Sequence, residues 1–173
     1  MSRKTRILAV LLAVALPLAA LAQGTQVSFG GLKQDPTLPV QVTADQLKVS
    51  QSDGTAVFSG NVVVGQGQMR LGAAEVRVEY AKGDAGAKGK VSRMVASGGV
   101  TFSSGGEAAQ SKEAVYDVDT GRIVMTGDVI LTQAQNAMSG QRLDIDLTTG
   151  TGQMEGRVQT VFHPAGQGQA TQP

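Results

Sequence analysis

The chain has 173 residues, with 15 Lys and Arg against 14 Asp and Glu, 23 glycines, no cysteine and no tryptophan. A nucleic-acid binder shows a basic excess and clustered Lys or Arg, and neither is present. Without cysteine there are no disulfides, so stability must come from backbone pairing and from a thin aliphatic core of Val, Leu, Ile, Met and Ala.

Residues 1–22 read as a secretory signal peptide. Ser2 to Arg6 is basic, Ile7 to Leu21 is apolar, and Ala20-Leu21-Ala22 puts small residues where a signal peptidase reads them. The apolar run holds Pro17, is shorter than the roughly 20 residues of a spanning helix, and leads straight into polar sequence. Cleavage is expected before Gln23. Loss of Arg3, Lys4 and Arg6 then leaves 12 basic residues against 14 acidic ones, a formal charge of −2.

Residues 23–39 are a lead-in. Val27-Ser28-Phe29-Gly30-Gly31 lies 29 residues ahead of Ala56-Val57-Phe58-Ser59-Gly60 and shares its alternation. Asp35-Pro36 and Leu38-Pro39 interrupt any ladder, because proline has no amide hydrogen to donate. An edge strand followed by a loop is expected.

Residues 40–162 repeat. Gly60, Gly98, Gly127 and Gly156 head four similar strand patterns and are separated by 38, 29 and 29 residues. Gly54, Gly83, Gly121 and Gly150 step by 29, 38 and 29, as do Leu47, Val76, Ala114 and Leu143. The same phase at three landmarks marks a repeat architecture. The extra nine residues fall in Asp84 to Ser92, a polar loop inserted into an otherwise regular array.

Within each repeat the side-chain period is two, so faces can be assigned. The apolar face holds Ala56, Phe58, Gly60, Val62 and Val64, then Ala96, Gly98, Val100 and Phe102, then Met125, Gly127, Val129 and Leu131. In the intervening strands it holds Leu47 and Val49, then Val76, Val78 and Tyr80, then Ala114, Tyr116 and Val118, then Leu143, Ile145 and Leu147. One oily and one wet face argues for antiparallel strands. Turn signals sit at Asp53-Gly54, Lys82-Gly83, Thr120-Gly121 and Thr149-Gly150 at one end of the hairpins. Gly65-Gln66-Gly67, Ser104-Gly105-Gly106 and Gln133-Ala134-Gln135 serve the other. The expected fold is all-β: twisted hairpins that wrap their apolar face into a roll or sandwich. Glycines at the inward phase are expected to let the backbone bend. Residues 163–173 have nothing to bury and are expected to be disordered.

Catalytic constellations are not found. The one histidine, His163, has no local partners to fix it as a base. Asp84 to Val91 ends in Gly89-Lys90 but lacks the glycine and hydroxyl residue of a phosphate loop. Asp117-Val118-Asp119 lacks the glycine position and distal glutamate of a calcium loop. Glu75, Glu79, Asp144 and Asp146 alternate onto the solvent face, where solubility explains them. No metal, no cofactor and no enzymatic activity are expected. What remains is the oily interior, able to take acyl chains, and the unpaired edges of the strand stack.

The Pro39-Val40-Gln41-Val42-Thr43-Ala44-Asp45-Gln46-Leu47 opening, the Phe58-Ser59-Gly60-Asn61-Val62 and Thr126-Gly127-Asp128-Val129 repeats, and Ala114-Val115-Tyr116-Asp117 followed by Thr120-Gly121 resemble the OstA-like (LptA) family of lipopolysaccharide export proteins. The likeness covers nearly all of residues 26–162 and rests on the order and phase of short motifs. It implies a periplasmic antiparallel β-jelly roll, open at both ends, whose interior carries lipid A acyl chains. It also implies head-to-tail subunits bridging an inner-membrane export complex and the periplasmic domain of an outer-membrane translocon. Under that reading the lipid-facing candidates, taken from the alternation, are Phe58, Val62, Val64, Leu71, Val76, Val78, Val100, Phe102, Tyr116, Met125, Val129, Leu131, Met138, Leu143 and Ile145. The assembly edges are Val40, Val42, Leu47 and Val49 at one end and Met154, Val158, Thr160 and Phe162 at the other. An exported scaffold or adhesin with a dry core, and a periplasmic lipid-modifying enzyme, are the competing readings.

Overall fold

A computed structural model of the chain describes residues 25–28, 35, 37–81 and 89–162. The signal peptide 1–22, most of the inserted loop, His163 and the tail 163–173 lie outside the described residues. The strands are β1 (Thr25–Ser28), β2 (Gln41–Thr43), β3 (Gln46–Ser50), β4 (Thr55–Gln66), β5 (Met69–Tyr80), β6 (Val91–Ser104), β7 (Glu107–Asp117), β8 (Arg122–Gln133), β9 (Asn136–Asp146), β10 (Thr151–Glu155) and β11 (Gln159–Val161). Among the described residues there is no helix.

The strands form one antiparallel sheet in the order β1-β10-β9-β8-β7-β6-β5-β4-β2, with β3 also on β4 and β11 also on β9. It does not close into a barrel. The repeating glycines explain its shape. Ser59 faces Glu75 and Val62 faces Ala73, so Gly60 and Asn61 stand together against the single Ala74. The same two-against-one arrangement sets Gly98-Gly99 against Lys112 and Gly127-Asp128 against Gln141. These are β-bulges, and each bends its strand. Both residues of every bulge have positive φ, from 47° at Asn61 to 86° at Gly99, a region open to glycine and, less readily, to Asn and Asp. Lys112 and Asp128 pair at 2.6 Å on the outside of this corner. Their mutual hydrogen bond and charge lower the Asp128 pKa and raise that of Lys112.

Aligned bulges crease the sheet along one line and divide it into two arms. The first contains residues 55–59, 75–80, 91–97, 113–117, 122–126 and 142–146, extended by β3 and β10. The second contains 62–66, 69–73, 100–104, 107–111, 129–133 and 136–140, extended by β2 and β11. The crease corrects the assignment of Gly60, Gly98 and Gly127 to the apolar face. A Cβ on them would meet Asp45 of the β2–β3 connection, Ala74 of β5 and Lys112 of β7 at 2.5–2.9 Å, and those three residues are exposed.

The hairpin ends obey simple turn chemistry. Turn residues 67–68, 105–106 and 134–135 join the long strands, and Gly67, Gly105 and Ala134 occupy the same turn position at φ 56°, 58° and 52°. At the opposite ends the Asp117 carboxylate accepts from the Thr120 amide and hydroxyl, and Asp146 accepts from the Thr148 and Thr149 amides. These bonds hold both carboxyl pKa values below their ordinary range. Alanine alone of the three turn residues carries a Cβ in the left-handed region, at a cost of about 1 kcal/mol. Ala134→Gly is therefore expected to stabilise the protein by up to about 1 kcal/mol, read as a higher midpoint in urea with an unchanged slope.

β1 is an edge strand, but of the far end of the sheet. It pairs with β10, Thr25 opposite Met154 and Ser28 opposite Thr151, so the first described strand joins a late one in the first arm.

Candidate functional site

The inner faces of the two arms pack on each other. A small void of about 10 Å³ is lined by Val64, Met69 and Leu71 from the second arm and by Val76, Met94, Ala96, Ala114 and Tyr116 from the first. At Gly140 the arms come so close that a Cβ would lie 2.7 Å from Met154 Sδ and 2.9 Å from the Glu155 carbonyl. The interior is a continuous apolar stripe running from β4 to β10 between the arms.

Of the fifteen candidates taken from the alternation, thirteen are buried in this stripe, and Phe58 and Met138 are half-buried against it. Leu71 and Val76 lie five residues apart, as do Met138 and Leu143. An unbroken strand would send the members of each pair to opposite faces, yet all four reach the interior. The crease shifts the inward phase of β5 at Ala74 and of β9 at Gln141, so Ala73, Leu71, Gly140 and Met138 follow Val76 and Leu143 inside.

The interior is filled. A void of about 10 Å³ has room for about one water and none for an acyl chain. The larger concavities lie outside the roll. One of about 430 Å³, lined by Leu38, Pro39, Val63 and Arg70 among others, flanks β2. Another of about 290 Å³ lies near β11 between Ile130, Gln141 and Arg157.

The eight edge candidates divide. Val40 and Val42 are half-buried at β2. Leu47 and Val49 face Phe58 and Ala56, so they continue the interior lining, but β3 is the last strand of its arm and they are 56% and 60% exposed. At the other end Phe162 is 75% exposed and Thr160 lies in β11, whose outer edge has no partner strand in the sheet. Met154 is fully buried and β10 already carries β1; Val158 precedes β11 and is half-buried. Among the described residues the free edges are therefore β1, β2, β3 and β11.

Sequence reasoning missed the buried polar groups. Gln66, Ser104, Glu107 and Ser111 all point inward. Tyr116 Oη donates to Gln66 Oε1 at 2.7 Å, and Gln66 Nε2 donates to the Leu38 carbonyl at 2.9 Å. Burial, and secondarily the Asp117 charge, raise the Tyr116 pKa. Gln133 Nε2 donates to Glu107 Oε1 at 2.8 Å, while Glu107 Oε2 is buried without a hydrogen-bond partner among the described residues. The signal was available, since Gln66 follows Val62 and Val64 at the same even spacing. The acidic residues Asp144 and Asp146 lie on the outside, Asp144 accepting from Arg122 at 2.6 Å and from Arg142 at 3.1 Å. Among the described residues no His, Cys, Asp or Glu cluster is arranged for a metal.

Residues 41–151 match the family model described as LptA/(LptD N-terminal domain) LPS transport protein. An uncharacterized protein of Rhizobium meliloti (strain 1021) is 31% identical over 153 residues, which cover 84% of this chain and 82% of that protein. Among solved structures, the crystal structure of LptH from Pseudomonas aeruginosa, described as the LptA-homologous periplasmic component of the lipopolysaccharide transport device, superposes with a TM-score of 0.66. It does so at 20% identity, over 76% of this chain and 99% of LptH. That likeness supports the creased antiparallel sheet, and the family match supplies the rest: the chain belongs to the LptA/LptD N-terminal domain family of lipopolysaccharide transport proteins.

Proposed function

We propose that this protein carries lipopolysaccharide across the periplasm, holding lipid A acyl chains between the two arms. The observation that carries this reading is the apolar stripe, which runs the length of the roll and emerges at Leu47 and Val49, where the roll ends open. Each methylene moved from water into such a stripe contributes about 0.8 kcal/mol. LptH, of the same fold, is described as a periplasmic component of a lipopolysaccharide transport device. Residues 1–22 direct export and are removed, and the roll is built within residues 40–162. No reaction is catalysed and no cofactor or nucleic acid is bound.

Subunits add head to tail by pairing one copy's free β2 and β3 edge with another's β11, and the same edges meet the inner-membrane bridge component and the translocon's periplasmic domain. At the β11 end the second arm offers the outer edge of β11 and the first arm that of β1, the last strand on that side. The competing reading is an exported scaffold with a dry core, which the filled interior favours.

A photo-reactive residue at Phe58 or Met138, both half-buried against the interior, tests the two in cells, with the outward Ile130 as control. Adducts with lipopolysaccharide at the inward positions and none at Ile130 are expected. A folded, exported protein with no inward adducts would leave the scaffold reading standing.

A further inference from the structure

Between the free ends of the two arms run hydrogen bonds that no strand pairing requires. Tyr116 lies near the free end of the first arm, Gln66 is the last residue of β4 at the free end of the second, and Leu38 belongs to the segment before β2. The Gln66 amide joins all three, accepting from the Tyr116 hydroxyl and donating to the Leu38 carbonyl across 50 and 28 residues of sequence. Gln66 and Tyr116 are 1% and 2% exposed. A buried amide left unmatched is costly, so Gln66 strongly favours the arrangement in which both bonds form.

On the opposite side the arms are joined along the crease, where every long strand of the roll bends at a bulge or shifts phase beside one. A sheet fastened at its lip and creased at its back opens about the crease. The filled interior means that a chain cannot enter until the arms separate.

We propose that Gln66 is a clasp that must release before an acyl chain enters between the arms, and that a partner strand pairing on β2 controls the release through Leu38. This rests on the reading of the interior as the lipid site. Loading is thereby tied to assembly: a partner that pulls the Leu38 segment towards itself removes a bond that helps to hold Gln66 in place.

The chain has no cysteine of its own, so spin labels at Ser103→Cys and Arg93→Cys report the angle between the arms of β6; both positions are exposed. Tyr116→Phe removes one oxygen and keeps the packing. It is expected to broaden the inter-label distances towards longer values and to speed uptake of lipid A bearing a fluorescent acyl chain about fivefold, the effect of one net hydrogen bond. Gln66→Leu is expected to do the same and, unlike Tyr116→Phe, to speed amide exchange in Gln41 to Thr43, because it also frees Leu38. Unchanged distances and unchanged uptake in both variants, with lipid bound normally by the parent chain, overturn the clasp and leave the lipid reading intact. Broadened distances with no lipid bound by any of the three support the clasp and overturn the lipid reading. Equal amide exchange in the two variants overturns the coupling to β2.

Discussion

Gly127→Val is expected to lower stability by about 3 kcal/mol, the sum of two independent costs of order 1–2 kcal/mol each. Gly127 has φ 84°, where a β-branched side chain is a severe outlier. Its new Cβ would also lie 2.9 Å from Lys112 Cβ and 3.0 Å from Lys112 Cδ. Lysine can swing its distal carbons away, but its Cβ is fixed to the ladder, so relief requires the β7 and β8 backbones to part. For a chain of this length such a loss lowers Tm by roughly 10 °C, measurable by calorimetry or circular dichroism. Gly98→Val is expected to cost at least as much, because Ala74 Cβ would lie at 2.6 Å and the next residue, Gly99, has φ 86°. Gly106→Val is the control. Nothing lies within 4 Å of its Cβ position and it is not among the positive-φ glycines, so its effect should stay within about 0.5 kcal/mol. Equal Tm changes at Gly106 and Gly127 would show that the crease does not depend on glycine.

The period that exposed these glycines in the sequence also misled their assignment. Counting in twos places Gly60, Gly98 and Gly127 inward, because parity runs unbroken from Phe58 to Val62. The count is right at both ends and wrong in the middle, since a bulge puts two residues where its partner has one. Inward valines, leucines and methionines were legible because a buried face repeats across every strand. Leu47 and Val49 were legible as lining from the alternation, whereas their place at an exposed edge came only with the family resemblance, since exposure depends on where the array ends. The pairing of β1 with β10 was not legible at all. It joins residues more than 120 positions apart, and local alternation carries no information about which edge a strand will find. Gln66 and Glu107 were passed over because a polar residue next to a turn looks like part of the turn, whereas both belong to strands and face inward.

Leu143→Ala is expected to separate a lipid carrier from a dry scaffold by moving stability and affinity in opposite directions. Leu143 is fully buried, paired with Met125 on β8 and Met154 on β10. Truncating such a leucine costs about 2–5 kcal/mol through lost burial and the cavity left behind. In a scaffold that cost is the whole effect, and added lipid A changes nothing. In a carrier whose interior is filled when empty of ligand, binding must first break the packing between the arms, and Leu143→Ala has already given up part of that packing. The variant should then melt earlier than the parent without lipid, bind lipid A more tightly, and recover part of its lost Tm as lipid is added, following the linkage between free ligand and stability. Affinity falling together with stability would instead mean that Leu143 packs directly on the acyl chain in an interior that is already open, against the closed roll described above. A lower Tm with no response to lipid in either protein would leave the stripe as a core and nothing more.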